Sequence, residues 1–235
     1  MNARSLALAE CIRLVVDGDV GNVSRRLRAA PSLATMAWPA GSTLPGTTGS
    51  FFTEIRHHIY EGDTALHMAA AAFARPMAEL LVSHGADCRA KNRRGAEPLH
   101  YASDANRSEP LAQADVIVYL TSIGADPNAV DKSGVAPLHR AVRTRSIAAV
   151  RALLDAGATP LLPNKSGSTP LHLAVQTTGR GGSGSDEARK QQAGIIKLLL
   201  ARGARPTDRD AQGKRVDQAA SSEWIRTLLS DWKAR

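Results

Sequence analysis

The chain has 235 residues, 43% of them apolar and 22% charged, which is enough to build a core and too apolar for general disorder. Its two cysteines, Cys11 and Cys88, stand in no Cys-x-x-Cys or Cys/His zinc spacing, so neither a disulfide framework nor a structural zinc site is implied. The net charge of +8 lies wholly in the second half, because residues 1–118 hold 12 basic and 12 acidic side chains and residues 119–235 hold 18 and 10. That asymmetry points to an acidic or phosphorylated partner on the second half, against the plainer reading of a solvated, solubilising charge.

From Ser5 to Asp17, Leu6, Ala9, Ile12 and Val16 recur at spacings of three and four, the pattern of an amphipathic helix. Asp17-Gly-Asp19 breaks it, and a second helix is expected from Val20 to Ala29, stopped by Pro31. Glu10 and Arg13 interrupt the apolar stretch, so it does not read as a signal peptide. No run approaches the roughly 18 apolar residues of a membrane span, and a cytoplasmic location is expected. Residues 38–60 combine a cluster of turn formers with the aromatic and β-branched run Phe51 to Tyr60, which predicts an inserted elongated turn or β-hairpin. His57 and His58, adjacent on such a strand, point to opposite faces and do not suit one metal ion.

From residue 62 onward one motif recurs: Gly62-Asp-Thr-Ala-Leu-His67, Gly95-Ala-Glu-Pro-Leu-His100, Gly134-Val-Ala-Pro-Leu-His139 and, in its fullest form, Gly167-Ser-Thr-Pro-Leu-His172. The glycine permits positive φ, the threonine can cap a helix, and proline fits the first helical position, where its missing N–H would have no partner. Each unit closes on a second glycine, at Gly85, Gly124, Gly157 and Gly203, placed to end a helix in the left-handed conformation. The histidines lie 33, 39 and 33 residues apart, so the second unit carries six extra residues near 104–110, and the fourth carries a longer insertion over 177–187. Loops of that kind leave to solvent at small entropic cost. Residues 207–235 repeat the turn once more and end on the apolar stripe Trp224, Ile225, Leu228 and Leu229.

These motifs and their period resemble the ankyrin repeat family, whose unit of about 33 residues is a turn followed by two antiparallel helices. The resemblance implies an all-α ankyrin solenoid, read as one domain with an N-terminal cap (1–37), a hairpin-like insertion (38–60), full repeats at 61–92, 93–130, 131–163 and 164–206, and a C-terminal cap (207–235). It implies structural roles for His67, His100, His139 and His172, and a weaker third repeat, since Glu97 and Ala136 replace the usual threonine. In this family the turn tips and first helices line a concave binding face. Lys91, Arg93, Arg94, Lys132 and Lys165 would form a basic ladder along it. A second constellation is Arg140, Arg143 and Arg145 beside Arg180 and the glycines of the 177–183 loop, which would suit an anion; the rival is an ordinary ion pair between Arg143 and Asp104. The expected function is a monomeric protein-binding scaffold and not an enzyme, with binding of phosphate or a small anionic ligand as the alternative. No cofactor, metal, membrane or nucleic-acid partner is expected.

Overall fold

In this computed structural model, which describes residues 3–40, 51–104, 109–176 and 185–233, the punctuation of the sequence becomes a series of helix pairs. They are α1 (Ala3–Val16) with α2 (Val20–Ala29), α3 (Ala65–Ala71) with α4 (Arg75–Ser83), and α5 (Pro98–Asp104) with α6 (Pro110–Ser122). Then follow α7 (Pro137–Arg143) with α8 (Ile147–Asp155), α9 (Pro170–Ala174) with α10 (Asp186–Ala201), and α11 (Val216–Ala219) with α12 (Glu223–Lys233). The first helices stack as one row, α1 on α3, α5, α7, α9 and α11 in turn, while α2, α4, α6, α8 and α10 form a second row. The central first-row helices α3 and α5 are short and almost wholly buried because neighbours cover them on nearly every side. All seven residues of α3 are buried, and its alanines allow the close approach.

Each pair is closed by the same backbone chemistry. At Gly85, Gly124, Gly157 and Gly203 φ lies between 90° and 100°. The N–H of the following alanine then returns to a leucine carbonyl five residues back, as Ala86 does to Leu81 at 3.0 Å and Ala158 to Leu153 at 2.9 Å. This is the Schellman arrangement that satisfies the last carbonyls of a helix.

The insertions require a different solution at the end of the first helix. In the two units without one, the carbonyl two residues after the motif histidine accepts a turn N–H: Ala74 to Ala69 at 3.0 Å, Ser146 to Ala141 at 3.2 Å. In the two units that carry an insertion, a buried glutamine amide from the second helix donates to the equivalent carbonyl. Gln113 Nε2 donates to the Ala102 carbonyl at 2.8 Å, and Gln192 Nε2 to Ala174 at 2.7 Å. A buried carbonyl must find a partner, and the lengthened α6 and α10 supply one. Residues 105–108 and 177–184, where most of both expected insertions fall, lie outside the described residues, as does 41–50.

The described remainder of the 38–60 stretch contains a two-residue antiparallel ladder, β1 (Phe51–Phe52) against β2 (His57–His58), in the register Phe51 to His58 and Phe52 to His57. Phe52, Ile55, Ile59 and Trp38 are buried in the common core. The stretch is also held by polar groups. Asp63, fully buried, accepts hydrogen bonds from the Tyr60 N–H (2.6 Å), Asn92 Nδ2 (2.8 Å) and the Tyr101 hydroxyl (2.7 Å), and the His57 ring lies over Tyr101 with centroids 4.3 Å apart. Burial raises the Asp63 carboxyl to about 6 against those hydrogen bonds, and it lowers His57.

Candidate functional site

The turn tips are built from an Asx residue and a glycine. Asn92, Asp131, Asn164 and Asp210 each accept two backbone N–H bonds across their own turn, for Asp131 from Ser133 (2.8 Å) and Val135 (3.0 Å), and Gly95, Gly134, Gly167 and Gly213 take positive φ. Successive tips are then hydrogen-bonded to one another: Arg93 N–H to Glu61 O at 2.8 Å, Lys132 to Arg94 at 2.9 Å, Lys165 to Ser133 at 3.2 Å, Ala211 to Ser166 at 3.2 Å. The glycines are required by this approach, since a Cβ on Gly134 would lie 2.8 Å from the Lys165 nitrogen. The tips therefore form a rigid edge.

Four histidines tie this edge to the first helices. Nδ1 of His67, His100, His139 and His172 accepts the N–H of the residue three before it, at 3.1–3.2 Å. Nδ1 being an acceptor, the proton is on Nε2, which donates to the next tip's carbonyl at Ala96, Val135, Ser168 and Lys214, at 3.1–3.3 Å. Burial lowers His67 to about 4 and His100 to about 3, and lowers His139 as well, so these imidazoles are neutral spacers with both nitrogens engaged. Where threonine precedes the helix, its Oγ1 also meets Nδ1, at 3.0 Å for Thr64 and 2.9 Å for Thr169. Ala136 offers no such group. Glu97 is buried in its place with Oε2 lacking a hydrogen-bond partner among the described residues, and Lys91 approaches Oε1 at 3.7 Å.

Between the tips and the first-helix row lies a groove of about 480 Å³, bordered by Arg93, Arg94, Lys132 and Ser133 from two tips and by Asp104, Arg140 and Arg143 from α5 and α7. The sequence-selected residues divide here into two groups. Arg140 is only 11% exposed and is already committed: Nη1 binds Asp104 at 3.1 Å and Nη2 binds Asp131 at 2.9 Å. Arg143 shares Asp104 at 3.0 Å, the ion pair that rivalled an anion site. Arg94 lies over the Tyr60 ring, 4.9 Å from its centroid, and Arg93 approaches Glu61 at 3.8 Å with most of its side chain in solvent. Lys132 and Lys165 are exposed and make no ion pair among the described residues. Burial acts to raise the Asp131 carboxyl, but the Arg140 guanidinium and two backbone N–H groups outweigh it and hold it low, so the buried part of the cluster stays charged and paired.

The second constellation is only partly described. Arg143 and Arg145 line a separate cavity of about 130 Å³ with Gln176, Gln192, Leu173 and Ile195, and Arg145 occupies the turn after α7 at φ 59°. Arg180 and the loop glycines lie outside the described residues. His57 Nδ1 donates to the His58 carbonyl at 2.7 Å while the His58 ring packs toward Phe51. Among the described residues no group of three or more His, Cys, Asp or Glu is placed to hold a metal ion, and no helix is long and apolar enough to cross a membrane. Sequence reasoning missed the Asx clamps and the two buried glutamines. The clamps were legible, since Asn or Asp stands three before every tip glycine from Gly95 onward; the glutamines carried no local signal.

Comparison with protein-family models finds ankyrin repeats in three copies over residues 108–210 and a further ankyrin repeat over residues 61–93. No curated protein matches the chain. With more than half of its length matched, and with stacked helix pairs joined by hydrogen-bonded turn tips, the chain belongs to the ankyrin repeat family.

Proposed function

We propose that this chain is a protein-binding scaffold of four full repeats (61–92, 93–130, 131–163, 164–206) between caps at 1–37 and 207–235, with 38–60 as an inserted element, and that it engages an acidic or phosphorylated partner on its basic concave face. Ankyrin repeats are in general protein-interaction modules, and the groove supports the finer reading. The observation that carries it is the charge around that groove: Arg93, Arg94, Lys132, Arg140 and Arg143 border it together with Asp104 and Asp131, both carboxylates are taken up by Arg140 and Arg143, and Arg93 has an exposed, long approach to Glu61 at 3.8 Å. Among the described residues that leaves Arg94 and Lys132 exposed with no carboxylate partner and Arg93 only loosely paired in solvent, all on a hydrogen-bonded backbone, with Lys165 continuing the edge. Exposed cations on a preorganised backbone attract acidic groups with no backbone ordering cost, so only the side chains have to be fixed on binding. A catalytic role finds no support in His67, His100, His139 and His172, whose ring nitrogens are all engaged.

The test is fluorescence polarisation with labelled polyglutamate and with a neutral peptide of equal length, at about 50 and about 200 mM salt, where screening differs by a factor of about two in length. Wild type should bind the acidic peptide more tightly at low salt, and a variant carrying Arg94→Glu and Lys132→Glu should not. Equal binding by the two proteins would remove the basic face from the reading.

A further inference from the structure

On that reading of the groove, we infer that its partner segment is extended and carries acidic side chains at every third residue, three in succession. The position directly after the Asx clamp is occupied, tip by tip, by Arg93, Lys132 and Lys165, while the structurally equivalent positions at the two ends are the uncharged Tyr60 and Ala211. The edge is thus a comb of three exposed cationic teeth, two of them, Lys132 and Lys165, without a carboxylate partner among the described residues and the first, Arg93, in a solvent-exposed 3.8 Å approach to Glu61 that an acidic segment would have to displace. The two lysine stems are held alike: Lys132 Cγ lies 3.3 Å from where a Cβ on Gly95 would stand, and Lys165 Cγ lies 3.3 Å from the same point on Gly134, so each lysine crosses the glycine of the tip before it, while at Gly62 it is the Arg93 backbone that makes the close approach. Register is therefore set by backbone and stem together, and only the ends of the side chains are free to adjust.

The spacing of the teeth follows the packing of the repeats, whose neighbouring helices stand about 8–10 Å apart. A polyproline-type segment rises about 3.1 Å per residue with three residues per turn, so every third side chain returns to one face after about 9.3 Å. A β-strand returns a side chain to one face every 6.6–6.8 Å or so, too short for one tooth, and about 13 Å for the next, too long. An α-helix comes within reach only at every seventh residue, after about 10.5 Å, and would need about fifteen residues to meet all three teeth where the extended segment needs about seven. Adjacent acids in a block can meet only one tooth at a time. The groove of about 480 Å³ runs beside the first two teeth, Arg93 and Lys132, and the Arg94 guanidinium over the Tyr60 ring adds a planar cation beside the first of them.

The experiment measures binding of three labelled peptides to the whole chain at about 50 mM salt. One repeats Glu-Pro-Pro three times; the second has the same composition with its glutamates in one block; the third is a helix-forming peptide with glutamate at every seventh position. The every-third peptide should bind about tenfold more tightly than the block. Arg93→Ala, Lys132→Ala and Lys165→Ala should each weaken it by about two- to fivefold, the scale of an exposed ion pair. Circular dichroism confirms that each variant is folded, and since all three side chains are exposed no loss of fold is expected. Equal binding of the every-third and block peptides, with both lost in the triple variant, would overturn the spacing and leave the basic face intact. Preference for the helical peptide would overturn it too. Absence of any binding, or binding that the triple variant retains, would overturn the basic face itself and the spacing with it.

Discussion

Replacing Ala136 by threonine should stabilise the third repeat. The backbone at Ala136 (φ −91°, ψ 164°) matches that of Thr169 (φ −79°, ψ 166°) and Thr64 (φ −105°, ψ 169°), so the new side chain needs no change of main chain. At those two threonines the hydroxyl lies 2.9–3.0 Å from the histidine Nδ1 three residues on. His139 Nδ1 at present receives only the Ala136 N–H, at 3.1 Å. The substitution adds one hydrogen bond in a buried setting, about 0.5–1.5 kcal/mol, and one buried methyl, about 0.8 kcal/mol, set against the entropy of fixing a β-branched side chain. A net gain of about 1 kcal/mol results, close to the usual worth of a threonine cap. For a chain of this size that corresponds to about 2–4 °C in Tm, read by circular dichroism at 222 nm or so over a thermal ramp. Ala136→Val, with the same shape and no hydroxyl, separates the methyl from the hydrogen bond and should gain less. A midpoint that is unchanged or lowered by threonine, or raised equally by valine, would refute the assignment of the hydroxyl to Nδ1.

Three further outcomes follow from the same network. Gln192→Leu should destabilise by about 1–3 kcal/mol, because the Ala174 carbonyl loses its donor in a buried site, whereas Gln191→Leu, on the solvent side of the same helix, should have little effect in the same melt. Glu97→Thr should raise the midpoint by removing a buried carboxylate oxygen without a partner and restoring the Thr-Pro-Leu-His motif. Burial raises the Glu97 pKa, so its charge is unfavourable in the fold above the ordinary carboxylate range, and the gain should be larger at about pH 7 than at about pH 4. Stability should also fall on acidification from pH 6.5, since the unfolded chain takes up protons on histidines that the fold keeps neutral down to about 4 at His67 and about 3 at His100. Each such group contributes a slope of up to about 1.4 kcal/mol per pH unit. Asp63, raised to about 6, works in the opposite sense below that pH, so a midpoint that held constant or rose between about pH 6.5 and pH 4 would show that the histidines do not dominate.

The sequence by itself determined where units start and stop. Those boundaries depend on local chemistry: a left-handed φ that glycine takes without strain, a proline with no N–H to lose, an imidazole three residues after the residue it caps, and all of these recur at fixed offsets. It also marked the cationic tips, because Arg93, Lys132 and Lys165 stand at one position relative to Gly95, Gly134 and Gly167. Only the tertiary structure decided which of the arginines were free to bind. Arg140 and Arg143 look alike in sequence to the tip cations, yet both reach Asp104 across 36 and 39 residues, a pairing that depends on how α5 packs against α7. The same holds for Gln113 and Gln192, whose roles arise from the buried Ala102 and Ala174 carbonyls on a neighbouring helix. A local conformational preference acts within a few residues and can be read along the chain, whereas the partner of a buried charge or carbonyl is chosen by whatever the stacked repeats bring beside it.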